Sequence, residues 1–598
     1  MEKKDIRLEL LMDAGNGAQS AASMLINAFA KEGKYVFIEP MIPAEISPPK
    51  RTPHSMSGAI VRTSNFEISC IGSSSDLMLV EHEILIDRRL NDKEFTKDTV
   101  ILLDAGDERR NKDGYQAVYD RMDELGLNYV SFNLPDACKS IMLQLKGRGK
   151  NMIYLGMLTA IFNSNYDEMY NFVKNSYKKL SPEKQDLNCE LYKEGYEFAK
   201  SEIKVRYEIE SKTDDSQKVF MDGNMAISFG AIDSGIKLFA GYPITPASSI
   251  MHELSKIFPN YGGIVHQAED EISAMGTVVG SYFSGVPSMT ATSGPGLSLK
   301  QEIIGLAMSS EIPAIIVNVQ RGGPSTGLPT KTEQSDLQAS LYGCHGDNTK
   351  VVLSVSDVED CFYAPHIARY LTEKLRVPVI ILSDYATSVS FKVIGEPTQN
   401  KLENIDDIND DILERFFLNR FENDIPMVKK NQSIPGEQGK ERRVTGLNTD
   451  DDGRVDFSSD AAVEAHKIRN QKMHILKESL QKPEIFGDEE GDLLIVGWGS
   501  SRGVIKETID KCKDDNLSVS GLHFKIVNPL PLGLKEILSK FKRVMTVEVA
   551  YGDNYKAAPF ARELRNETLV DVESGVCEPS GRPLKPDLIM TKVREVLS

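Results

Sequence analysis

Between Gly241 and Asp347 the chain repeats one pattern, an apolar strand-like run that ends in a polar loop. In order, the loops read GYPITPASSI, HQAEDEISAMGTVVG, TATSGPG, VQRGGPSTGLPTKTEQSDLQ and YGCHGD. Short apolar runs bounded by glycine and proline read as buried strands, and helical spacing fills the stretches between them. Strands alternating with helices build a parallel sheet with helices on its faces. The loops that follow such strands gather at the carboxyl edge of the sheet, where ligands bind. Thr245, Glu271, Ser293 and Arg321 lie on separate loops and are predicted to converge there.

The flanking regions repeat the alternation. IRLELLMDAG is a strand entering a glycine turn, SAASMLINAFAKEG a helix closed by glycine, and YVFIEPMI a second strand. LMLV, TVILLDAG and NYVSFNLP continue the strand pattern. Near the end, GDLLIVGWGSSRGVIKETIDKC, LSVSGLHFKIVNPLP and RVMTVEVAYGDNYKAAPFARELR follow the same plan. The predicted fold is α/β, with three successive parallel-sheet domains over residues 1–200, 218–395 and 489–598. A charged linker occupies the interval near 201–218, and a polar connecting segment runs over 396–488. Gly15-Asn16-Gly17 forms a strand-to-helix turn; its spacing leaves open whether it also cradles a phosphate. Gly497-Trp498-Gly499-Ser500 reads as a turn.

Composition removes several classes of function. A net charge of −18 disfavours nucleic acid as a partner. No apolar run approaches the ~20 residues needed to span a bilayer. The N-terminus lacks an apolar signal core and reads as a first strand, so a cytoplasmic protein without a membrane segment is expected. The seven cysteines are scattered, and no two share a C-x-x-C spacing. That argues against a disulfide framework and against an iron–sulfur or zinc site held by this chain. His266 and His345 each lack a second ligand at helical or turn spacing, so no metal site is predicted.

The loops carry residues with definite chemical uses. Glu269, Asp270 and Glu271 precede a helix of small and apolar residues. Any of them could be an acid favoured by the helix dipole, or a buried carboxyl with a raised pKa. Pro243 and Pro246 stiffen the GYPITP loop and fix Thr245 between them. Thr245 is also placed to cap the helix that follows. Arg321 ends the strand AIIVNVQ, and a guanidinium there can clamp a carboxylate through two hydrogen bonds. Ser293-Gly294-Pro295-Gly296 is a turn that lets a ligand approach the backbone closely. Thr330, Glu333, Gln334 and Asp336 are candidates for the cleft or for an interface.

These loops, in this order, resemble the thiamine diphosphate-activating part of the 2-oxoacid:ferredoxin oxidoreductases, and in particular the alpha subunit of the 2-oxoglutarate type. The resemblance extends to the N-terminal region, which is similar to the gamma domain of these enzymes. It rests there on the Gly15 turn and on SPPKRTPHSMSGAIVR, where Lys50 and Arg51 precede a histidine–serine pair. The turn departs from the family's G-x-G-G-Q-G at Ala18 and Ser20. The C-terminal region resembles the last domain of transketolase-like enzymes through Asn528–Pro531 and the strand end from Glu548 to Asn554. STGLPTKTEQSDL and the 430–455 block favour the 2-oxoglutarate subclass.

The resemblance implies a fused gamma–alpha chain that supplies the pyrimidine side of the cofactor site. Tyr242, Pro243, Ile244, Thr245, Glu271, Ser293 and Gly294 would contact the cofactor, with Glu271 sharing a proton with the aminopyrimidine. Thr245 and Arg321 would meet the 2-oxoacid, and Lys50 or Arg51 would read a distal carboxylate. The G-D-G motif that holds Mg²⁺ and the diphosphate is absent. Mg²⁺ and a 4Fe–4S cluster are therefore expected on a beta subunit, with CoA as co-substrate, ferredoxin as electron acceptor and an (αβ)2 heterotetramer as the assembly. Two alternatives stay open: a pyruvate or broad-specificity enzyme of the same family, and a non-catalytic CoA-binding scaffold.

Overall fold

The computed structural model describes residues 3–43, 48–209, 218–421, 425, 428, 433–441, 443–450 and 453–598. Residues 210–217 of the expected linker and several positions in the 430–455 block lie outside the described residues. The chain divides into two compact units, Met1–Phe220 with Ser390–Glu396, and Met221–Val389 with Pro397–Ser598.

In the first unit, Asp5–Asp13 lies at the middle of a mixed sheet. On one side it pairs in parallel with Ser75–Val80, which continues in parallel to Phe95–Asp104 and Asn128–Phe132. This half is the expected βαβ arrangement. On the other side it pairs antiparallel with Met56–Ser64, which pairs antiparallel with Tyr35–Met41. The antiparallel half was not distinguished in the sequence, although its signature is present. Tyr35–Met41 alternates between buried and half-exposed positions, as antiparallel strands covered on one face do. Phe391–Gly395 then pairs with Tyr35–Met41, so the chain returns to this sheet after leaving the second unit.

Each face of this sheet is covered by its own core. Ala18–Lys31, Lys150–Ile161 and Pro182–Glu202 pack on one face, with Leu25, Phe29, Leu155 and Tyr192 among their fully buried side chains. Glu83–Asp92 and Lys112–Glu124 cover the other through Leu85, Tyr115 and Met122.

The second unit holds two sheets. Spatial order in the larger is Ile526–Asn528, Val351–Ser354, Pro378–Asp384, Ala314–Gln320, Ser288–Thr292, Leu238–Gly241 and Ile264–Gln267. All neighbours are parallel except the first pair. Its central strands are buried along their whole length, as expected for a parallel sheet clad on both faces. The smaller sheet orders Glu484–Phe486, Val519–Phe524, Gly491–Trp498, Phe541–Glu548 and Val572–Cys577, parallel except for its first pair. Ile526–Asn528 comes from the chain that builds the smaller sheet and adds an edge strand to the larger one, which joins them through the backbone.

The described residues of the polar connecting segment are more ordered than its composition suggested. They include the helix Ser459–Ser479, and ion pairs tie them down. Lys472 binds Glu311 at 2.6 Å, and Arg415 binds Asp360 at 2.7 Å. Ile434 would abut a Cβ on Gly285, and Leu306 one on Gly446, so this segment packs on the larger sheet's helices.

Candidate active site

Four of the five loops singled out in the sequence leave a strand of the larger sheet at its carboxyl end; YGCHGD instead follows the helix Leu337–Tyr342 and leads into Val351–Ser354. Tyr242–Pro246 follows Leu238–Gly241, Glu271 follows Ile264–Gln267, Ser293 follows Ser288–Thr292, and Arg321 follows Ala314–Gln320. Parallel pairing of these strands brings the loops to one edge.

Among the three candidate acids the structure separates one from two. Asp270 is exposed and caps the helix Glu271–Phe283, accepting the Ser273 N–H at 2.7 Å. Glu269 is exposed as well. Glu271 is the first residue of the helix and is buried, 8% exposed. Its carboxyl lies against Gly296, where a Cβ would come within 3.0 Å of Oε1 and 2.0 Å of Thr292 Oγ1. Only a glycine leaves the carboxyl its place.

Thr245 is exposed, and the helix after it begins at Ser248 with no side-chain cap. Capping is therefore not its role. Its carbonyl accepts a 2.6 Å hydrogen bond from Arg321 Nη1, which ties the GYPITP loop to the end of the Ala314–Gln320 strand. Arg321 is itself buried, which pushes its pKa down, while Asp336 acts in the opposite direction. Its Nε has no hydrogen-bond partner among the described residues.

Asp336 emerges as a further member of this layer. Burial raises its pKa, against the hydrogen bond that Asn318 Nδ2 donates to it at 3.0 Å. Its carboxylate oxygens would both lie 2.8 Å from a Cβ on Gly294, so Gly294 fits beneath them. The buried atoms Ser293 Oγ and Asn318 Oδ1 have no partner among the described residues. A buried carboxyl, an unmatched hydroxyl, an unmatched amide oxygen and a partly matched guanidinium form a donor and acceptor set suited to a polar heterocycle and a carboxylate. That set fits the pyrimidine of thiamine diphosphate and a 2-oxoacid.

Two other candidates bind elsewhere. Gln334 spans to the smaller sheet, donating to Trp498 O at 3.0 Å and exchanging hydrogen bonds with Val549. Glu333 accepts from Gly323 N at 2.8 Å and orders the Gly322–Gly323 loop. Gly499, in the turn after Trp498, meets Gln334, as a turn at a sheet junction does. Lys50 and Arg51 belong to the first unit. Lys50 is exposed, whereas Arg51 pairs with Glu83 and, at 2.8 Å, with Asp107. Beside them, the Gly15 turn is lined by carboxylates: Glu81 accepts from Asn16 Nδ2 at 2.8 Å, and Lys150 sits 3.3 Å from Glu81 and 2.9 Å from Asp104.

Sequence reasoning missed Lys300, which is fully buried next to Glu271 and donates to its main-chain carbonyl at 2.8 Å. The available signal was its spacing: Lys300 falls three residues after Leu297 and four before Ile304, on the apolar face of the helix. All seven cysteines are free thiols, and five of them are buried. Among the described residues no three His, Cys, Asp or Glu side chains gather as a metal site.

Comparison with known proteins fits this geometry. Residues 229–453 match the thiamine diphosphate-binding family of pyruvate flavodoxin/ferredoxin oxidoreductases, and residues 13–198 match the pyruvate ferredoxin/flavodoxin oxidoreductase family. The 2-oxoglutarate oxidoreductase subunit KorA of Mycobacterium tuberculosis is 30% identical over 606 aligned residues, covering 98% of this chain and 90% of that protein. The 2-oxoglutarate synthase subunit KorA of Methanocaldococcus jannaschii is 34% identical, over 56% of this chain and 89% of its own length. A solved 2-oxoglutarate:ferredoxin oxidoreductase from Magnetococcus marinus, with 2-oxoglutarate, coenzyme A and succinyl-CoA bound, superimposes over the whole of both chains with a TM-score of 0.85 at 28% identity. With similarity spanning both units, the chain belongs to the 2-oxoacid:ferredoxin oxidoreductase family, as an alpha-type subunit in which gamma and alpha regions are fused.

Proposed function

We propose that this chain is the alpha-type subunit of an enzyme that oxidises 2-oxoglutarate with CoA to succinyl-CoA and CO₂. Two electrons leave singly to two ferredoxins, and one proton is released. The observation that carries the reading is the convergence of buried Glu271, the Thr245 loop and buried Arg321 at one edge of the parallel sheet. The same substrate class in the full-length neighbour supports it.

Thiamine diphosphate, when bound, supplies the electron sink for decarboxylation. The chain's own residues do the rest of the work on its pyrimidine side. Tyr242, Pro243, Ile244, Ser293 and Gly294 form the wall of the site. Glu271 holds a proton at the pyrimidine ring nitrogen in a buried position, where the exchange is sheltered from water. Arg321 takes the C1 carboxylate of the 2-oxoacid, using donors that Thr245 O does not occupy. Thr245, exposed beside it, faces the substrate.

The tail carboxylate of 2-oxoglutarate calls for another cation. Lys50 and Arg51 are the ones to test, and the ion pairs already formed by Arg51 favour Lys50. Mg²⁺, the diphosphate and a 4Fe–4S cluster are assigned to a beta subunit, in an (αβ)2 complex that reduces ferredoxin. Such a complex belongs in the cytoplasm, where CoA and ferredoxin are available. Among the described residues no helix is long and apolar enough to cross a membrane.

The test is to purify the chain with its associated subunit and measure CoA-dependent reduction of ferredoxin with 2-oxoglutarate, pyruvate and 2-oxobutyrate. Preference for 2-oxoglutarate is expected. Equal rates would move the assignment to a broad-specificity enzyme, and no rate with any 2-oxoacid would leave the scaffold reading.

A further inference from the structure

Lys300 has no part in the site as read from the sequence, yet it occupies an expensive position. It lies on the second turn of Gly294–Ser309, the helix that begins at the Ser293–Gly294 wall. It is 0% exposed, and its ammonium donates at 2.8 Å to the main-chain carbonyl of Glu271. An ammonium has three N–H donors, and a buried cation that satisfies few of them costs free energy. A methionine or leucine would fill this volume without that cost. The charge therefore needs a reason, and its surroundings supply one. The charged groups that bear on it are Glu271 and then Asp270, at the head of the neighbouring helix. Both are acids.

We propose that Lys300 is a positioning residue for Glu271: its buried ammonium anchors, through the Glu271 carbonyl, the first turn that carries the carboxyl. This deepens the proposed function and rests on Glu271 being the acid that serves the pyrimidine. With Lys300 charged, its hydrogen bond to the Glu271 carbonyl is charge-assisted and holds the turn firmly. With Lys300 neutral, that bond weakens and the turn holds the carboxyl less firmly at the pyrimidine. Burial pushes the lysine's pKa down to about 8, against the pull of the two acids, so the change of state falls in an accessible range.

The test uses the intact complex and three variants, Lys300→Met, Lys300→Arg and Glu271→Gln. Wild type is expected to lose kcat on the alkaline side near pH 8 while KM for 2-oxoacid and CoA holds. Lys300→Arg keeps its charge and is expected to stay active at pH 9. Lys300→Met is expected to show about tenfold lower kcat without that alkaline limb, since the charge-assisted anchor is then missing at every pH.

A second readout does not depend on turnover. The lysine binds its proton more weakly when folded than when unfolded. Wild type should therefore gain stability relative to Lys300→Met as pH rises from 8 toward 10. If Lys300→Met fails to fold, the Lys300→Arg profile decides alone. A wild-type profile in Lys300→Met, or an alkaline limb that survives in Lys300→Arg, overturns the proposal. Glu271→Gln separates the two readings: if it is inactive while the Lys300 variants behave as wild type, only the role of Lys300 fails. If it is active, the assignment of Glu271 fails first.

Discussion

At the scale of single residues, the site depends on which of three adjacent acids is turned inward. Helix capping decides it. Asp270 uses its carboxylate to close the helix and stays in solvent, which leaves Glu271 as the first buried position. Glu271→Gln should preserve folding and subunit association but lower turnover by at least ~100-fold, since an amide cannot exchange the proton. Near-normal turnover of the variant complex would move the role to another acid. Arg321 is engaged twice, by the Thr245 carbonyl now and by a carboxylate in the proposed complex. Arg321→Ala should cut kcat/KM for the 2-oxoacid by ~30- to 1000-fold and leave KM for CoA nearly unchanged. Parallel losses for both substrates would mean that the side chain only supports the loop. The identity of Arg321 was legible in the sequence; its bond to Thr245 was not, because nothing in the spacing shows that two loops 76 positions apart meet.

At the scale of elements, close approach is bought with glycine. Lys150–Ile161 and Pro182–Glu202 cross at reciprocal glycines: a Cβ on Gly156 would lie 2.1 Å from Tyr192 O, and one on Gly195 would lie 2.1 Å from Ile153 O. Neither obstacle is a side-chain end that can swing away. Gly195→Ala should therefore destabilise the first unit by about 1–3 kcal/mol, seen as a lower denaturation midpoint for that unit. An unchanged midpoint would show that the helices can slide apart without loss. Helix existence here was readable from periodicity. The contact itself was not, since a glycine in a helical run is equally consistent with a weak turn. The antiparallel half of the first sheet was missed for a similar reason. Alternation in YVFIEPM marks a one-sided strand, but which neighbour it pairs with depends on the path of the chain.

At the scale of the molecule, the second unit is held together by buried charge as well as by apolar packing. Asp360, fully buried, meets Lys525 at 2.8 Å from the C-terminal region and Arg415 at 2.7 Å from the connecting segment. Burial works against its ionisation, but these two cations override it and hold its pKa far below the usual carboxylate range. Asp360→Asn should cost ~3–5 kcal/mol, because buried Lys525 loses its carboxylate partner, while Arg415 keeps Glu359 at 2.9 Å. The stability contributed by the ionised acid is present above about pH 4 and is lost as pH falls below that value. A variant that matched wild type in denaturant at pH 7 would rule this out. Purified without its partner, the chain should be colourless and free of iron, given seven scattered thiols of which five are buried. A brown preparation with stoichiometric iron would contradict the assignment of the cluster to another subunit. The sequence by itself determined the α/β alternation, the strands of the larger sheet and the loops that leave them, because hydrophobic period and glycine–proline punctuation are local properties. Tertiary structure alone decided that Glu271 rather than its neighbours is buried, that Lys300 stands behind it, and that Asp336 and Gly294 fit together. Each of these depends on distances between residues far apart in the chain, and those distances exist only once the sheet has set the order of its strands.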